Sequence, residues 1–169
     1  MTILDCLLTR RSIRKFTGEP LTPETLRALL DVFMSSPSAA DARPWHCVVV
    51  EDRAVLAAMA DRMPHCEMLR EAGLGLVICG DPSLEKIPGF WVQDCAAATQ
   101  SVLIAAHGLG LGGVWIGLHP VPDRESTVRE LLGLPAGILP FSIAVVGLPA
   151  EKLPREDRYD PARVHRNRW

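Results

Sequence analysis

The chain has 169 residues, with 18 lysines and arginines against 20 aspartates and glutamates, for a formal net charge of −2. That length suits a single domain burying about two-thirds of its unfolded surface, and the near-neutral balance argues against a nucleic-acid module, which usually carries a global basic excess. The five cysteines are odd in number and lack CxxC spacing, so they read as reduced thiols in a cytoplasmic protein rather than a disulfide framework.

In chain order, residues 2–10 read as a helix with Leu4, Leu7 and Leu8 on one face. Met1 to Leu8 is short and contains Asp5, so no secretory leader is read there. A second helix starts cleanly, with Thr22 as N-cap, Pro23 at the first helical position and Glu24 in the first turn. Leu26, Leu29, Leu30 and Phe33 then repeat at helical spacing. Residues 35–44, SSPSAADARP, form a loop by composition, followed by a strand at WHCVVVE and a helix at RAVLAAMADRM. GLGLVICGD predicts a buried strand closed by an Asp-Pro turn, and DPSLEKIPGF a mobile loop. A helix over Phe90–Gly108, a strand at GGVWIGL, a helix capped by Asp123 and running to Leu132, and a last strand at FSIAVVGLP complete the order. The alternation predicts an α+β or α/β sandwich on one core.

Between Cys95 and Pro122 there is no Asp, Glu, Lys or Arg, a stretch long enough to span a bilayer. Gln100, His107 and the glycines at 108, 110, 112 and 113 interrupt it, so it reads as a buried helix and strand with no membrane role. A helix apolar on all sides must be enclosed by protein, and a subunit interface is the expected place in so small a domain.

The chemistry-bearing stretch is LLTRRSIRKF, residues 7–16. Alternation along an extended SIRKF sends Ser12 and Arg14 one way and Ile13 the other. Arginine forks beside a hydroxyl can hold a phosphate. A solvated helix end, where arginine favours the C-terminal dipole, fits the same residues. No P-loop, G-x-S-x-G or HExxH is present, and the G-x-G in HGLGLGGVW follows a helix rather than a strand, which weakens a dinucleotide reading. His46-Cys47 and His65-Cys66 suggest metal ligands at first sight, but adjacent strand residues face opposite ways, and no metal site is read. An enzyme built from this sequence would take its hard chemistry from a bound organic cofactor.

Four stretches in order, RRSIRKF, PSAADARPW, GLGLGGVWIG and REDRYDPARVHRNRW, resemble the FMN-dependent nitroreductase family, most closely its short members. The resemblance covers nearly the whole chain. It implies a nitroreductase-like α/β/α sandwich with a mainly antiparallel sheet, spanning residues 1–169 and assembled as an intertwined homodimer with two FMN sites at the interface. By position, it implies that Arg10, Arg11 and Ser12 hold the FMN phosphate with Arg158, and that Arg14 lies near the ribityl chain and pyrimidine edge. Pro37, Ser38 and Ala39 would come from the other subunit, the backbone of Trp115, Ile116 and Gly117 would face N5, and the tail over 153–169 would pack on the partner.

The implied activity passes hydride from NADH or NADPH through flavin N5 to a nitroaromatic, quinone or similar small acceptor, with ping-pong turnover and no side-chain nucleophile. Arg14 would stabilise negative charge on the reduced flavin. A flavin storage or sensing protein, or another flavin redox reaction on the same fold, is the alternative. The family usually has Asn and Gln where this chain has Asp41 and Arg43. A carboxylate at 41 close to the flavin opposes its negative charge unless Arg43 pairs with it. Met63, Met68, Phe90 and Trp91 read either as core or as the lining of a substrate slot.

Overall fold

The computed structural model describes residues 2–169. Nine main elements follow in chain order: α1 (Ile3–Thr9), α2 (Pro23–Met34), β1 (Trp45–Val50), α3 (Arg53–Arg62), β2 (Leu74–Gly80), α4 (Trp91–Gly108), β3 (Gly112–Gly117), α5 (Pro122–Leu132) and β4 (Leu139–Gly147). This is the order expected from the sequence. Thr22 caps α2 by accepting the Thr25 N–H at 3.2 Å, with Pro23 at the first position. The start of α5 differs from expectation. Pro122, with its φ preset for a helix, opens it after Val121, and Asp123 sits inside the first turn, where its charge favours the dipole without capping.

The four strands form one sheet in the order β1-β2-β4-β3, antiparallel throughout. Strand alternation splits the apolar residues between two faces. Leu74, Leu76 and Ile78 of β2 join Leu29 and Phe33 of α2 and Cys95, Ala98 and Val102 of α4. Val77 and Cys79 face the other way, onto Leu56 and Met59 of α3 and Val128 of α5. Helices therefore cover both faces, which is the α/β/α sandwich. Ser142 faces α4 by alternation with Ala144 and Val146, and its hydroxyl meets that of Thr99 at 2.8 Å; the register shift between Ile78 and Cys79 leaves Phe141 unpaired against β2 and turns it to the same face.

Two features position the site. The segment after α1 lies against the sheet: Ser12 bridges Gly113 in parallel, Ile13 N–H donates to the Gly113 carbonyl at 3.0 Å, and Phe16 bridges Pro149. Gly112 makes this possible, because a Cβ there would stand 2.7 Å from Ile13 Cγ2. The outer surfaces of α1 and α4 are the second feature. Leu4 is 69% exposed and Leu8 52%. Ala96, Ala97, Ile104 and Ala105 along α4 are only half-buried. Among the described residues, no helix is long and apolar enough to cross a membrane.

Candidate functional site

Besides a mostly apolar cavity of about 450 Å³ among Thr9, Arg11, Ile13, Leu111, Pro149 and Leu153, two cavities lie along the segment that leaves α1. The first, of about 410 Å³, is walled by Arg10, Arg11, Arg155 and Arg158, together with Leu7, Leu8, Glu156, Asp157 and Tyr159. The second, of about 200 Å³, is formed by Arg14 with Val114, Trp115, Ile116 and Gly117 of β3, and by His65, Met68 and Arg124. Residues 11 and 14 are three extended steps apart, about 10 Å. The two therefore lie along one strand-like segment, one strongly cationic and one of mixed polarity, with both Arg14 and Arg124 in its wall.

Within the first cavity the four guanidiniums are not equivalent. Those of Arg10 and Arg155 make no hydrogen bond or ion pair to any described residue. Arg11 is committed to the tail: one nitrogen donates to the Pro154 carbonyl and another pairs with Glu156 at 2.6 Å. The same Glu156 carboxylate accepts from Arg158 Nε at 2.9 Å and Nη2 at 2.5 Å. Hydrogen bonding to Arg158 is the main reason its pKa falls below the ordinary carboxylate value. Unpaired guanidiniums in a concave wall are the donor set a phosphate monoester requires, so these residues fit the phosphate end of FMN. Ser12, expected here, is not part of the wall and lends its backbone to the Gly113 bridge.

At the second cavity the backbone under Arg14 is fixed from below. Glu151 accepts the Arg14 N–H at 2.6 Å and the Lys15 N–H at 3.1 Å, and these bonds lower its pKa, the Arg14 bond most. The Arg14 guanidinium itself makes no hydrogen bond or ion pair among the described residues. Arg124 braces the far wall, donating to the Gly117 carbonyl at 2.8 Å and to the Pro64 carbonyl at 2.9 Å. His65 holds a left-handed backbone, φ 63°, at the rim. Met68 lines this cavity, whereas Met63 and Trp91 are core, the Trp91 ring occupying the space a Cβ on Gly80 would need. Phe90 stays at the surface.

Pro37, Ser38, Ala39 and Asp41 belong to neither cavity wall. Their loop is nonetheless tightly held. Ala40, Asp41 and Arg43 all have φ near +51°, and such strain persists only where the surroundings impose it. The Ala39 N–H donates to Asp94 Oδ1 at 2.9 Å, the Arg43 N–H to Ser38 Oγ at 2.9 Å, and Lys86 Nζ to the Ala40 carbonyl at 2.8 Å. Asp94 is 5% exposed, and its Oδ2 has no partner among the described residues. Asp41 and Arg43 pair through two hydrogen bonds of 2.7 and 3.1 Å, and that pairing is the main cause lowering the Asp41 pKa. The stretch 81–90 is pinned as well, Glu85 accepting the Gly89 and Trp91 N–H groups.

Sequence reasoning missed Arg155, Glu156, Glu151 and Arg124. Only Arg155 had a local signal, its three-residue spacing from Arg158. Among the described residues, no three His, Cys, Asp or Glu side chains gather as a metal site would require.

The profile of the Nitroreductase family matches residues 7–71 and 64–148, and so takes in both cavities up to the start of the tail. The chain belongs to the nitroreductase family. A protein of Methanothermobacter thermautotrophicus, provisionally named NADH dehydrogenase/NAD(P)H nitroreductase, is 44% identical over 169 residues, covering 100% of this chain and 88% of its own. A crystal structure from Parabacteroides distasonis, provisionally assigned the same activities, superposes with a TM-score of 0.94 at 38% identity, covering 99% of this chain and 98% of its own. An FMN-dependent nitroreductase of Clostridium difficile superposes at 0.91 with 26% identity, covering 98% and 99%. The tail residues that complete the arginine cavity lie beyond the family profile, so a nitroreductase-family member here closes its cationic seat with chain outside the matched core.

Proposed function

We propose that this nitroreductase-family chain is an FMN-dependent oxidoreductase that takes reducing equivalents from NADH or NADPH and passes them to a small oxidised acceptor of the nitroaromatic or quinone type. The observation that carries the reading is the pair of neighbouring cavities: an arginine seat with Arg10 and Arg155 unpaired, and beside it a slot walled by Val114–Gly117 and Met68 with the free Arg14 guanidinium at its mouth. A flavin mononucleotide has this polarity, with a dianion at one end and a flat ring at the other.

When bound, FMN supplies the two-electron chemistry, accepting hydride from the nicotinamide and returning it to the acceptor. Arg10, Arg155 and Arg158 anchor the phosphate. Arg14 places positive charge beside the pyrimidine edge, where charge develops on reduction, and Trp115–Gly117 form the floor under the ring. Donor and acceptor use one slot in turn, which gives ping-pong kinetics.

The site closes with a second copy of the chain. Pro37, Ser38 and Ala39 of the partner subunit pack along the ring, with Asp41 close by and neutralised by Arg43. The exposed leucines of α1 and the half-buried face of α4 support this, since apolar surface of that extent is normally covered. Residues 153–169, exposed from end to end apart from Leu153, pack on the partner.

The test is the visible spectrum of the purified protein and its size in solution. A yellow dimer bleached by NADH or NADPH without oxygen is expected, with colour restored by a quinone or nitroaromatic. A yellow protein that neither nicotinamide bleaches would be a flavin storage or sensing protein instead. A colourless monomer that takes up no FMN ends the proposal.

A further inference from the structure

The arginine cavity contains a carboxylate that an anion seat does not obviously need. Glu156 stands between two of the four guanidiniums, and its two oxygens are divided between them: Oε1 pairs with Arg11 and Oε2 accepts from both Nε and Nη2 of Arg158. Two roles are open to such a group. It can compete with the incoming phosphate, or it can orient an arginine that will bind it.

The geometry separates these roles. A guanidinium has two usable forks, the Nε/Nη2 side and the Nη1/Nη2 end, with five donors in one plane. Glu156 takes the side fork of Arg158 only and leaves Nη1 and the second Nη2 hydrogen without a partner among the described residues. Arg158 lies in a stretch with no regular secondary structure, its side chain 66% exposed, so nothing in its own backbone fixes where the guanidinium points. Arg11 is the opposite: its side chain is 18% exposed and tied to the Pro154 carbonyl, two residues before Glu156. A fixed arginine thus holds a carboxylate, and the carboxylate holds a second arginine whose free fork remains available to the cavity.

We infer that Glu156 is a positioning residue, which aims the end fork of Arg158 at the cofactor's phosphate and relays to it the anchorage of Arg11. The inference rests on the FMN reading above and deepens it. Arg11 then acts through Glu156 rather than on the phosphate directly, and Arg10, Arg155 and Arg158 form the binding set. Holding a long side chain in its binding rotamer before the ligand arrives removes an ordering cost from the binding step.

The experiment compares FMN with riboflavin, which has the same ring and lacks the phosphate, by titrating flavin-free protein and following flavin fluorescence. The ratio of the two dissociation constants isolates the phosphate's share, which a general loosening of the ring slot would not move. E156Q is expected to weaken FMN about fivefold, the loss of one ordinary hydrogen bond's worth of preorganisation, and to leave riboflavin unchanged. R11Q, which removes the other end of the bridge, is expected to do the same. In an R158A background E156Q is expected to add nothing.

E156Q protein that binds FMN as well as the parent, or more tightly, overturns the inference; tighter binding would make the carboxylate a competitor. So does a further equal loss in the R158A background, because Glu156 would then be acting elsewhere. These outcomes leave the FMN reading standing. A parent protein that binds FMN no better than riboflavin removes the phosphate seat altogether, and both readings fall with it.

Discussion

Replacing Arg10 by alanine separates a ligand seat from a solvated helix end more sharply than any other single change. Arg10 closes α1, and its backbone N–H donates to the Cys6 carbonyl at 3.1 Å, a bond alanine keeps. Its guanidinium has no hydrogen bond or ion pair to lose among the described residues. The cost to folding is therefore that of an ordinary surface change, within about 0.5 kcal/mol. The cost to binding is that of one charge-assisted hydrogen bond to phosphate, about 1.5–3 kcal/mol, or roughly 10- to 100-fold in the FMN dissociation constant. Titration of flavin-free protein with FMN and riboflavin, alongside thermal unfolding without flavin, measures all three quantities. FMN affinity should fall by that factor while riboflavin affinity and the unfolding midpoint hold. An FMN constant within twofold of the parent, or an equal loss for riboflavin, would refute the assignment of Arg10 to the phosphate.

Three further outcomes follow from the same geometry. Glu151 has a folded pKa below its unfolded value because it accepts the Arg14 and Lys15 N–H groups. Its stabilising contribution is present above the ordinary carboxylate pKa of about 4.3 and is lost as pH falls through the lower folded value. E151Q should therefore flatten the acid side of a plot of unfolding temperature against pH; an unchanged profile counts against those bonds. His107, whose Nε2 lies 2.8 Å from the Thr9 hydroxyl, is held below its ordinary pKa by burial first and by Arg10 second. R10A should raise the His107 midpoint followed by NMR without restoring it fully, and a midpoint that stays or falls contradicts that coupling. Gly112→Ala places a Cβ 2.7 Å from Ile13 Cγ2. It should destabilise by about 1–3 kcal/mol as the segment is pushed off the sheet, read as a lowered midpoint in denaturant, and a midpoint equal to the parent's would show that the segment shifts freely.

The element order was legible because its signals are local. Thr22-Pro23-Glu24 announces a helix start without help from elsewhere, and the buried strand GLGLVICG needs only its composition. Asp123 misled for a local reason too, since a proline one residue earlier competes with an aspartate cap and determines the start of α5. Asp41 and Arg43 could be paired by inspection because they are two residues apart and both exposed. The arrangement of the arginines was not legible. Arg11 turns to Pro154, 143 residues away, and nothing near residue 11 encodes that choice. Glu151 beneath Arg14 is a partner at similar range, visible only once the chain has folded back on itself. Asp94, which nothing in the sequence singles out, anchors a loop 55 residues upstream through the Ala39 N–H.

The parallel bridge between Ser12 and Gly113 has a further consequence. Strand β3 ends the sheet, and an uncovered outer row of N–H and C=O groups is an invitation to stray pairing between molecules. Residues 12 and 13 shield part of that rim, and the segment they open carries Arg14 into the second cavity, the slot we propose for the flavin. Sealing and ligand holding are thereby coupled: a ligand that binds Arg10 and Arg14 also fastens the seal, and its departure loosens the guard against self-association. Cofactor-depleted protein should then clump before it unfolds, and added FMN should keep it in solution.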